Sequence, residues 1–553
     1  MVTSQEIEAV FDQCLPGKAP YDYQKRCWES ILSMEPGSGL FIEAQTAGGK
    51  TEAAILPVLT SLSLRDYSLC RRLIYVLPTK SLVNAIEGRI RRMCTNIGAD
   101  LTVRVDYGGS ADPTPMFYGD VIVCTWDCFF YGYAGARVLG SRHELPIGNI
   151  VSSFIVFDEV HMLQGKSLYS IYLLSEVLNQ LRILGVPFVV MTATIASKVK
   201  ELLVSDEDIE EGPKQSDSNK PLRNRVEILD DLSSTENSLD ELLRDPGVLE
   251  LIERSERVLI VANTVRGAVG AYKALRNMKL EKVLLHSRLT RKTRSMRENI
   301  IHRDSSRPLL LVATQVVEAG LNVDFKLVIT QLAPVEALIQ RLGRAGRRVR
   351  DAKAILCRYP GAPYDAELIN AVENMLSIDL HGLERALLDT GEARALIDRQ
   401  YETWGKLDLM DTIAKASLDL VKDMLWEISP LKPPSERALL KAREDVHVTL
   451  IVPESINWIE DGAEIDPKDP SRLFDRSFNT SFSSIQSGRR RVADALMING
   501  RGPWELVSCR DKKGWKVLLR KDVRPWSTYL INPDFYAREN DEELGVISLW
   551  KSS

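Results

Sequence analysis

A short apolar run at residues 39–42, Gly-Leu-Phe-Ile, gives way to Ala44-Gln45-Thr46-Ala47-Gly48-Gly49-Lys50-Thr51 and then to Glu52-Ala53-Ala54-Ile55-Leu56. The run reads as a buried strand, the small residues as a turn, and the last segment as a helix. Small side chains let backbone N–H groups close around phosphate oxygens, and a helix N-terminus adds partial positive charge. Lys50 is expected to reach the β- and γ-phosphates of a nucleotide, and the Thr51 hydroxyl to ligate Mg²⁺. The first position of the G-x-x-x-x-G-K-[ST] pattern is Ala44 rather than Gly. Taken by itself, the segment therefore also fits a Gly-rich turn with a solvated lysine.

Similar apolar runs recur at 73–77, 101–105, 121–124, 154–157 and 188–191, separated by helix-like or loop segments. Continuous apolar strands alternating with helices imply a parallel sheet covered on both faces. Residues 205–224 are polar and carry Gly212-Pro213-Lys214-Gln215-Ser216-Asp217-Ser218, which is linker composition. A second set of buried-type runs follows at 258–261, 283–285, 309–312, 327–329 and 355–356. Two α/β domains in tandem are expected, only the first with a phosphate loop. From 366 to 442 the chain reads as mostly helical, with a Pro-rich stop at Ser429-Pro430-Leu431-Lys432-Pro433-Pro434. Beyond 446 it is β-leaning, at 446–452, 504–508 and 515–519.

At 553 residues the chain is too long for a single core. Its net charge of −5 does not announce a nucleic-acid binder, so any such binding must come from local basic surface. Eight cysteines are scattered, and the one close pair, Cys124 and Cys128, has no second pair to complete a zinc site. They read as reduced thiols in a cytoplasmic protein. No apolar run approaches the ~20 residues of a membrane span, and no signal-peptide pattern opens the chain.

The run at 154–157 ends in Asp158-Glu159-Val160-His161. A carboxylate at the carboxyl end of a strand in the same sheet as the phosphate loop can reach Mg²⁺, the role expected of Asp158. Glu159 is then the group that polarises the attacking water. Thr192-Ala193-Thr194 ends the next strand, close enough to hydrogen-bond the acidic motif. The second domain supplies Ala313-Thr314-Gln315-Val316-Val317-Glu318-Ala319-Gly320-Leu321-Asn322-Val323-Asp324 and Gln340-Arg341-Leu342-Gly343-Arg344-Ala345-Gly346-Arg347. Arginines suit phosphoryl transfer because they offset charge on the equatorial oxygens without a proton change. Arg344 and Arg347 lie three apart behind a Gln, whereas Arg348 and Arg350 fit a solvated basic face.

This set, together with Leu77-Pro78-Thr79-Lys80-Ser81-Leu82, resembles a superfamily 2 DExH helicase over roughly residues 20–350. The resemblance implies an α/β fold: two tandem RecA-like parallel-sheet domains, then a helical segment and a small mixed α/β C-terminal domain. The expected boundaries are 1–204, a linker at 205–224, 225–362, a helical region at 363–442, and 443–553. It implies an adenine-reading Gln24, phosphate and metal contacts at Thr46, Gly48, Gly49, Lys50 and Thr51, and a ribose contact at Asp324. Asp158 is matched to the metal, Glu159 to the water, and Gln340, Arg344 and Arg347 to the sensor and arginine fingers. His161, Thr192 and Thr194 are matched to coupling, and Thr79, Asn263, Thr264 and Thr314 to the nucleic-acid strand. ATP and Mg²⁺ are the implied cofactors.

Three further stretches narrow the resemblance. They are Leu285-His286-Ser287-Arg288-Leu289-Thr290, the Gln-Val-Val-Glu-Ala-Gly form at 315–320, and Asn532-Pro533-Asp534-Phe535-Tyr536 followed by Leu544-Gly545. Together they are similar to the CRISPR-associated helicase of type I interference systems, whose members often carry a fused HD nuclease. None of the six histidines is followed by Asp, and about twenty residues precede Gln24. A stand-alone helicase subunit is therefore expected, acting on single-stranded DNA with a separate HD-type nuclease and a CRISPR RNA-guided surveillance complex. An RNA helicase of the same superfamily, or a nucleotide-gated adaptor that recruits a nuclease without unwinding, remain open alternatives. Arg489-Arg490-Arg491 near Phe478 and Phe482 could extend the strand track, though a solvated basic turn fits as well. Trp504, Trp515 and Trp526 could stack on bases or simply fill a core.

Overall fold

A computed structural model describes residues 2–44, 48–108, 113–137, 144–163, 168–204, 209–213, 224–229, 238–303, 307–318, 323–346, 350–359, 363–405, 412–427, 438, 447–452, 475–481, 495–499, 505–506, 528–531, 536–539 and 542–546. Thr46, Arg347, Arg489–Arg491, the tryptophans at 504, 515 and 526, and residues 532–535 lie outside them. The chain forms two compact units: Met1–Leu222 with Asp389–Glu444, and Arg223–Leu388 with Asp445–Ser553. Among the described residues no helix is long and apolar enough to cross a membrane.

The first unit is built on seven parallel strands: β1 (Gly39–Glu43), β2 (Arg72–Leu77), β3 (Val103–Asp106), β4 (Val121–Thr125), β5 (Ser153–Phe157), β6 (Phe188–Thr192) and β7 (Ile209–Glu211). Their spatial order is β3-β4-β2-β5-β6-β1-β7. Every residue of β4, β5 and β6 is buried, which is why these segments read as unbroken apolar runs rather than alternating ones. The edge strand β7 falls inside the stretch read as linker. Only Ile209 of its three residues is buried, so it left no apolar signal.

The helix Lys50–Ser63 carries Pro57 in its interior. An internal proline costs about 3 kcal/mol. The helix nonetheless buries Ile55, Leu56, Val58 and Leu59 completely, each contributing roughly 1.5–3 kcal/mol, so burial wins. Two later helices, Thr390–Trp404 and Thr412–Glu427, also belong to this unit.

The second unit has six parallel strands: β8 (Val226–Leu229), β9 (Arg257–Val261), β10 (Glu281–Leu285), β11 (Leu309–Ala313), β12 (Leu327–Gln331) and β13 (Ala352–Cys357), in the order β10-β11-β9-β12-β13-β8. It also holds a mixed five-stranded sheet of β14 (His447–Ile451), β15 (Ser477–Ser481), β16 (Ala495–Asn499), β17 (Glu505–Leu506) and β18 (Thr528–Ile531). The antiparallel pair β19 (Ala537–Glu539) and β20 (Glu542–Gly545) completes it. Two parallel-sheet domains followed by small C-terminal sheets agree with the fold class expected from the sequence.

That last pair is stitched to the six-stranded sheet. His286, just past β10, shares a hydrogen bond through Nε2 with the Leu544 carbonyl at 3.0 Å. The Tyr272 hydroxyl donates to Glu542 at 2.9 Å, and Tyr536 OH accepts from the Thr290 N–H at 3.2 Å. Leu544 is buried in the same core as Leu284 and Val312.

Candidate nucleotide site

The phosphate loop leaves β1 at Ala44, and Gly49 caps the following helix with φ of 84°, a left-handed conformation that glycine adopts without steric cost. The loop is braced by the helix Asp22–Leu32. Tyr23 donates its hydroxyl to the Gly48 carbonyl, and Gln24 Nε2 donates to the Gly49 carbonyl at 2.9 Å. Gln24 Oε1 accepts from the Tyr21 N–H at 2.8 Å, so both polar ends of this buried side chain are held by the chain itself. Lys50 Nζ donates to the Ala44 carbonyl at 2.9 Å, turning its ammonium back across the loop. Thr51 Oγ1 accepts from Arg89 Nη1 at 3.2 Å, and Arg89 also pairs with Glu52.

Asp158 and Glu159 follow β5, two strands from β1 in the same sheet. The Tyr75 hydroxyl donates to Asp158 Oδ2 at 2.6 Å, and the Glu159 N–H donates to Asp158 Oδ1 at 2.8 Å. This one phenol, from the middle of β2, ties that strand to the acidic motif. Glu159 has φ of 53°, uncommon for a residue with a Cβ. Burial, then repulsion from Glu159, raises the Asp158 carboxyl above the usual carboxylate range, while the positive charge of Lys50 opposes the rise.

His161 Nδ1 lies 3.1 Å from Thr192 Oγ1 and 3.5 Å from Glu159 Oε2. Burial lowers its pKa, with Glu159 opposing, so the imidazole is neutral near neutral pH. Thr192 ends β6 beside Glu43, and Thr194 sits half-buried just beyond. The sheet thus brings Gly48, Gly49, Lys50, Thr51, Asp158, Glu159, His161 and Thr192 to its carboxyl edge.

Two carboxylates and a hydroxyl, with no group of three or more His, Cys, Asp or Glu among the described residues, make an incomplete cage. That donor set fits Mg²⁺, which retains waters and takes phosphate oxygens alongside one or two carboxylates. Asp158 and the Thr51 hydroxyl are the groups that would hold it. Buried Asp158 beside half-buried Glu159, with Lys50 opposing their repulsion, is where a dication would neutralise charge.

In the second unit the expected strand and finger residues are largely engaged by their own chain. Asn263 donates Nδ2 to the Leu332 carbonyl at 2.7 Å, and its N–H donates to Gln331 Oε1 at 2.7 Å. Thr264 caps the helix Val265–Ala274, and in the first unit Thr79 caps the helix Lys80–Asn96. Thr314 is buried at the end of β11. Gln340 is half-buried on the helix Val335–Leu342, Arg344 donates to the Glu318 carbonyl, and the Asp324 carbonyl accepts from Arg257.

Two family profiles match the chain: DEAD/DEAH box helicase over residues 21–202, and the C-terminal part of CRISPR-associated nuclease/helicase Cas3 over 254–350. The CRISPR-associated helicase Cas3 of Thermoproteus tenax is 28% identical over 484 residues, covering 83% of this chain and 81% of that protein. The chain is a Cas3-like helicase. Its enzyme class is accordingly that of nucleic-acid-dependent ATPases.

The T. fusca Cas3 structure with ATP has the same fold at a TM-score of 0.59 and 18% identity, covering 86% of this chain and 66% of that one. A chain of a CRISPR RNA-guided surveillance complex, in a pre-nicking state, matches with a TM-score of 0.58 and 18% identity over 95% of this chain and 69% of that one. The Cas3-like chain spans little more than half, or less, of two longer Cas3 relatives.

Several residues of this Cas3-like site carried no sequence signal of their own. Tyr75 reads only as one more member of an apolar strand. Arg341 stands inside the Gln340–Arg347 string, yet its side chain is the buried centre of the second unit's loop cluster. It donates to Glu318 Oε1 at 2.8 Å, Asn263 Oδ1 at 2.9 Å, Thr330 Oγ1 and the Gln331 carbonyl at 3.0 Å, and Tyr364 OH at 3.0 Å. Those acceptors come from four separate stretches of the chain, so no local pattern around Arg341 marks it as buried.

Proposed function

We propose that this chain is the ATP-driven motor of a type I CRISPR interference system, moving along single-stranded DNA and unwinding its target. The observation that carries the reading is the grouping of Lys50, Thr51, Asp158 and Glu159 at one sheet edge, where the Tyr75 hydroxyl holds Asp158. Lys50 and the N–H groups around Gly48 and Gly49 bind the phosphates. Thr51 and Asp158 would hold Mg²⁺, which when bound would supply positive charge against the phosphates. Glu159 accepts the proton side of the attacking water, and neutral His161, on Thr192, holds that carboxylate in register. Gln24 fixes the adenine side and Thr46 the phosphates. Asp324, Gln340, Arg344 and Arg347 of the second α/β domain answer the ribose and the γ-phosphate. Thr79, Asn263, Thr264, Thr314 and Thr194 belong to the segments that meet or sense the strand, through backbone-directed, salt-sensitive contacts.

The partners proposed are a separate HD-type nuclease and an RNA-guided surveillance complex, the second supported by the resemblance of this chain to one in such a complex. Steady-state ATP hydrolysis by the purified chain, with single-stranded DNA or RNA added, tests the reading. DNA-stimulated turnover lost in Lys50→Ala and in Asp158→Ala is expected, as is displacement of a labelled strand. Turnover that ignores DNA, or survives Lys50→Ala, rejects it. Preference for RNA supports the RNA-helicase alternative, and hydrolysis without displacement supports a recruiting adaptor.

A further inference from the structure

The helix Thr390–Trp404 follows the second α/β domain in sequence yet packs within the first unit. Two of its residues, Arg394 and Asp398, are one turn apart and so share a face. Arg394 Nη2 pairs with Oε2 of Glu43, the last residue of β1 before the phosphate loop. Asp398 accepts from the N–H of Ser197 at 2.8 Å and from its hydroxyl at 2.6 Å. Ser197 opens the helix that follows Thr192-Ala193-Thr194. The same helix face therefore grips both chain segments that flank the site.

Those two segments are themselves adjacent. Glu43 is opposite Thr192 in the β1–β6 ladder, the Ala44 N–H donates to the Thr192 carbonyl at 3.3 Å, and Thr192 Oγ1 touches His161. Arg394 is thus linked through Glu43 and Thr192 to the start of the phosphate loop and to the histidine beside Glu159. The ion pair is a poor source of stability, because it is single-pronged. Glu43 Oε1 and Arg394 Nε are buried with no hydrogen-bond partner among the described residues, and a half-buried pair so partly satisfied repays its desolvation badly. What such a pair can fix is geometry.

We infer that Arg394 and Asp398 are positioning residues for ATP turnover, holding the ends of β1 and of the 192–197 segment in the arrangement hydrolysis requires. The inference rests on the ATPase reading above. It also gives the second connection between units a role, because the segment that leaves the second domain at 389 is anchored next to the phosphate loop. Neither residue touches the nucleotide positions, so ground-state binding of ATP should be nearly untouched while the hydrolytic step suffers.

The test uses the full chain with a saturating oligothymidylate strand, measuring kcat and KM for ATP, the affinity for the oligonucleotide, and the thermal midpoint. Arg394→Ala and the near-isosteric Asp398→Asn are each expected to lower kcat about tenfold, as small misplacements of reacting groups do. KM is expected to change by less than about threefold, with oligonucleotide affinity and midpoint near wild type. Arg394→Lys should recover most of the rate, and Glu43→Arg combined with Arg394→Glu should recover part of it. Wild-type kcat in both single variants overturns the inference. So does a rate loss that follows a fall in midpoint and is not recovered by Arg394→Lys. Lys50→Ala separates the two levels. If it is inactive while Arg394→Ala and Asp398→Asn both behave as wild type, this inference alone fails; if Lys50→Ala retains turnover, the ATPase reading fails with it.

Discussion

Tyr75, from the middle of β2, donates its hydroxyl to Asp158 Oδ2 at 2.6 Å across 83 positions of sequence. The phenol is fully buried, and burial with the neighbouring carboxylate raises its pKa far above the ordinary value, so it stays a donor. Tyr75→Phe leaves a buried acceptor short of one partner, at a cost of roughly 1–3 kcal/mol. Urea denaturation should report that loss. Turnover in the same variant should need more Mg²⁺ to saturate, because the Asp158 carboxylate is no longer held in one orientation.

Arg341 is expected to be the most sensitive residue of the second unit. Arg341→Ala strands the largely enclosed Glu318 carboxylate, and removing one partner of a buried pair typically costs up to about 3–5 kcal/mol. Arg341→Lys should be nearly as damaging, since an ammonium cannot span acceptors that a planar five-donor fork reaches. Chemical denaturation of both variants, followed by circular dichroism, checks the pair. Lysine restoring wild-type stability would show that charge alone matters there.

The buried His286 makes stability depend on pH. Burial is the main cause that pushes its imidazole down to about 3 in the folded chain, whereas an unfolded histidine protonates near about 6.5. Between those values the unfolded state binds the extra proton. This contribution is therefore complete above about pH 6.5 and is lost progressively as pH falls toward about 3. Lowering pH from about 6.5 to 5.5 should remove roughly 1 kcal/mol through this group. In melting curves over that interval, His286→Gln should decline less steeply than wild type. Parallel slopes would exclude His286 as the source.

Gly545 closes the C-terminal hairpin over the same histidine, with φ of 78°. A Cβ there would lie 2.6 Å from His286 Cε1 and 2.7 Å from the Arg288 carbonyl oxygen. Gly545→Ala therefore adds backbone strain to a clash with main chain that cannot swing aside, and a loss of about 1–3 kcal/mol is expected. Hydrogen exchange should locate the loss, with amides of β19 and β20 exchanging faster than those of β9 and β11.

Much of the nucleotide site was legible in the sequence because its chemistry is local. Gly49 is needed for a left-handed cap, Lys50 and Thr51 for the helix start, and Asp158 with Glu159 for the end of a buried strand. The phosphate loop, the acidic pair and the two sets of apolar runs therefore determined two parallel α/β sheets and the edge of the first at which the candidate residues meet. Short strands with one buried residue, such as β7, gave no such pattern.

What the tertiary structure alone decided is which distant residues support that chemistry. Tyr75 is an apolar-strand residue until β2 is set beside β5, and Arg341 is one arginine among several until Glu318, Asn263 and Tyr364 surround it. Arg394 and Asp398 are polar positions on a helix until the chain returns to Glu43, 351 positions earlier, and to Ser197, 201 earlier. A local motif is set by the backbone conformation of a few consecutive residues. A hydrogen bond spanning hundreds of positions exists only once the core has packed and fixed both ends.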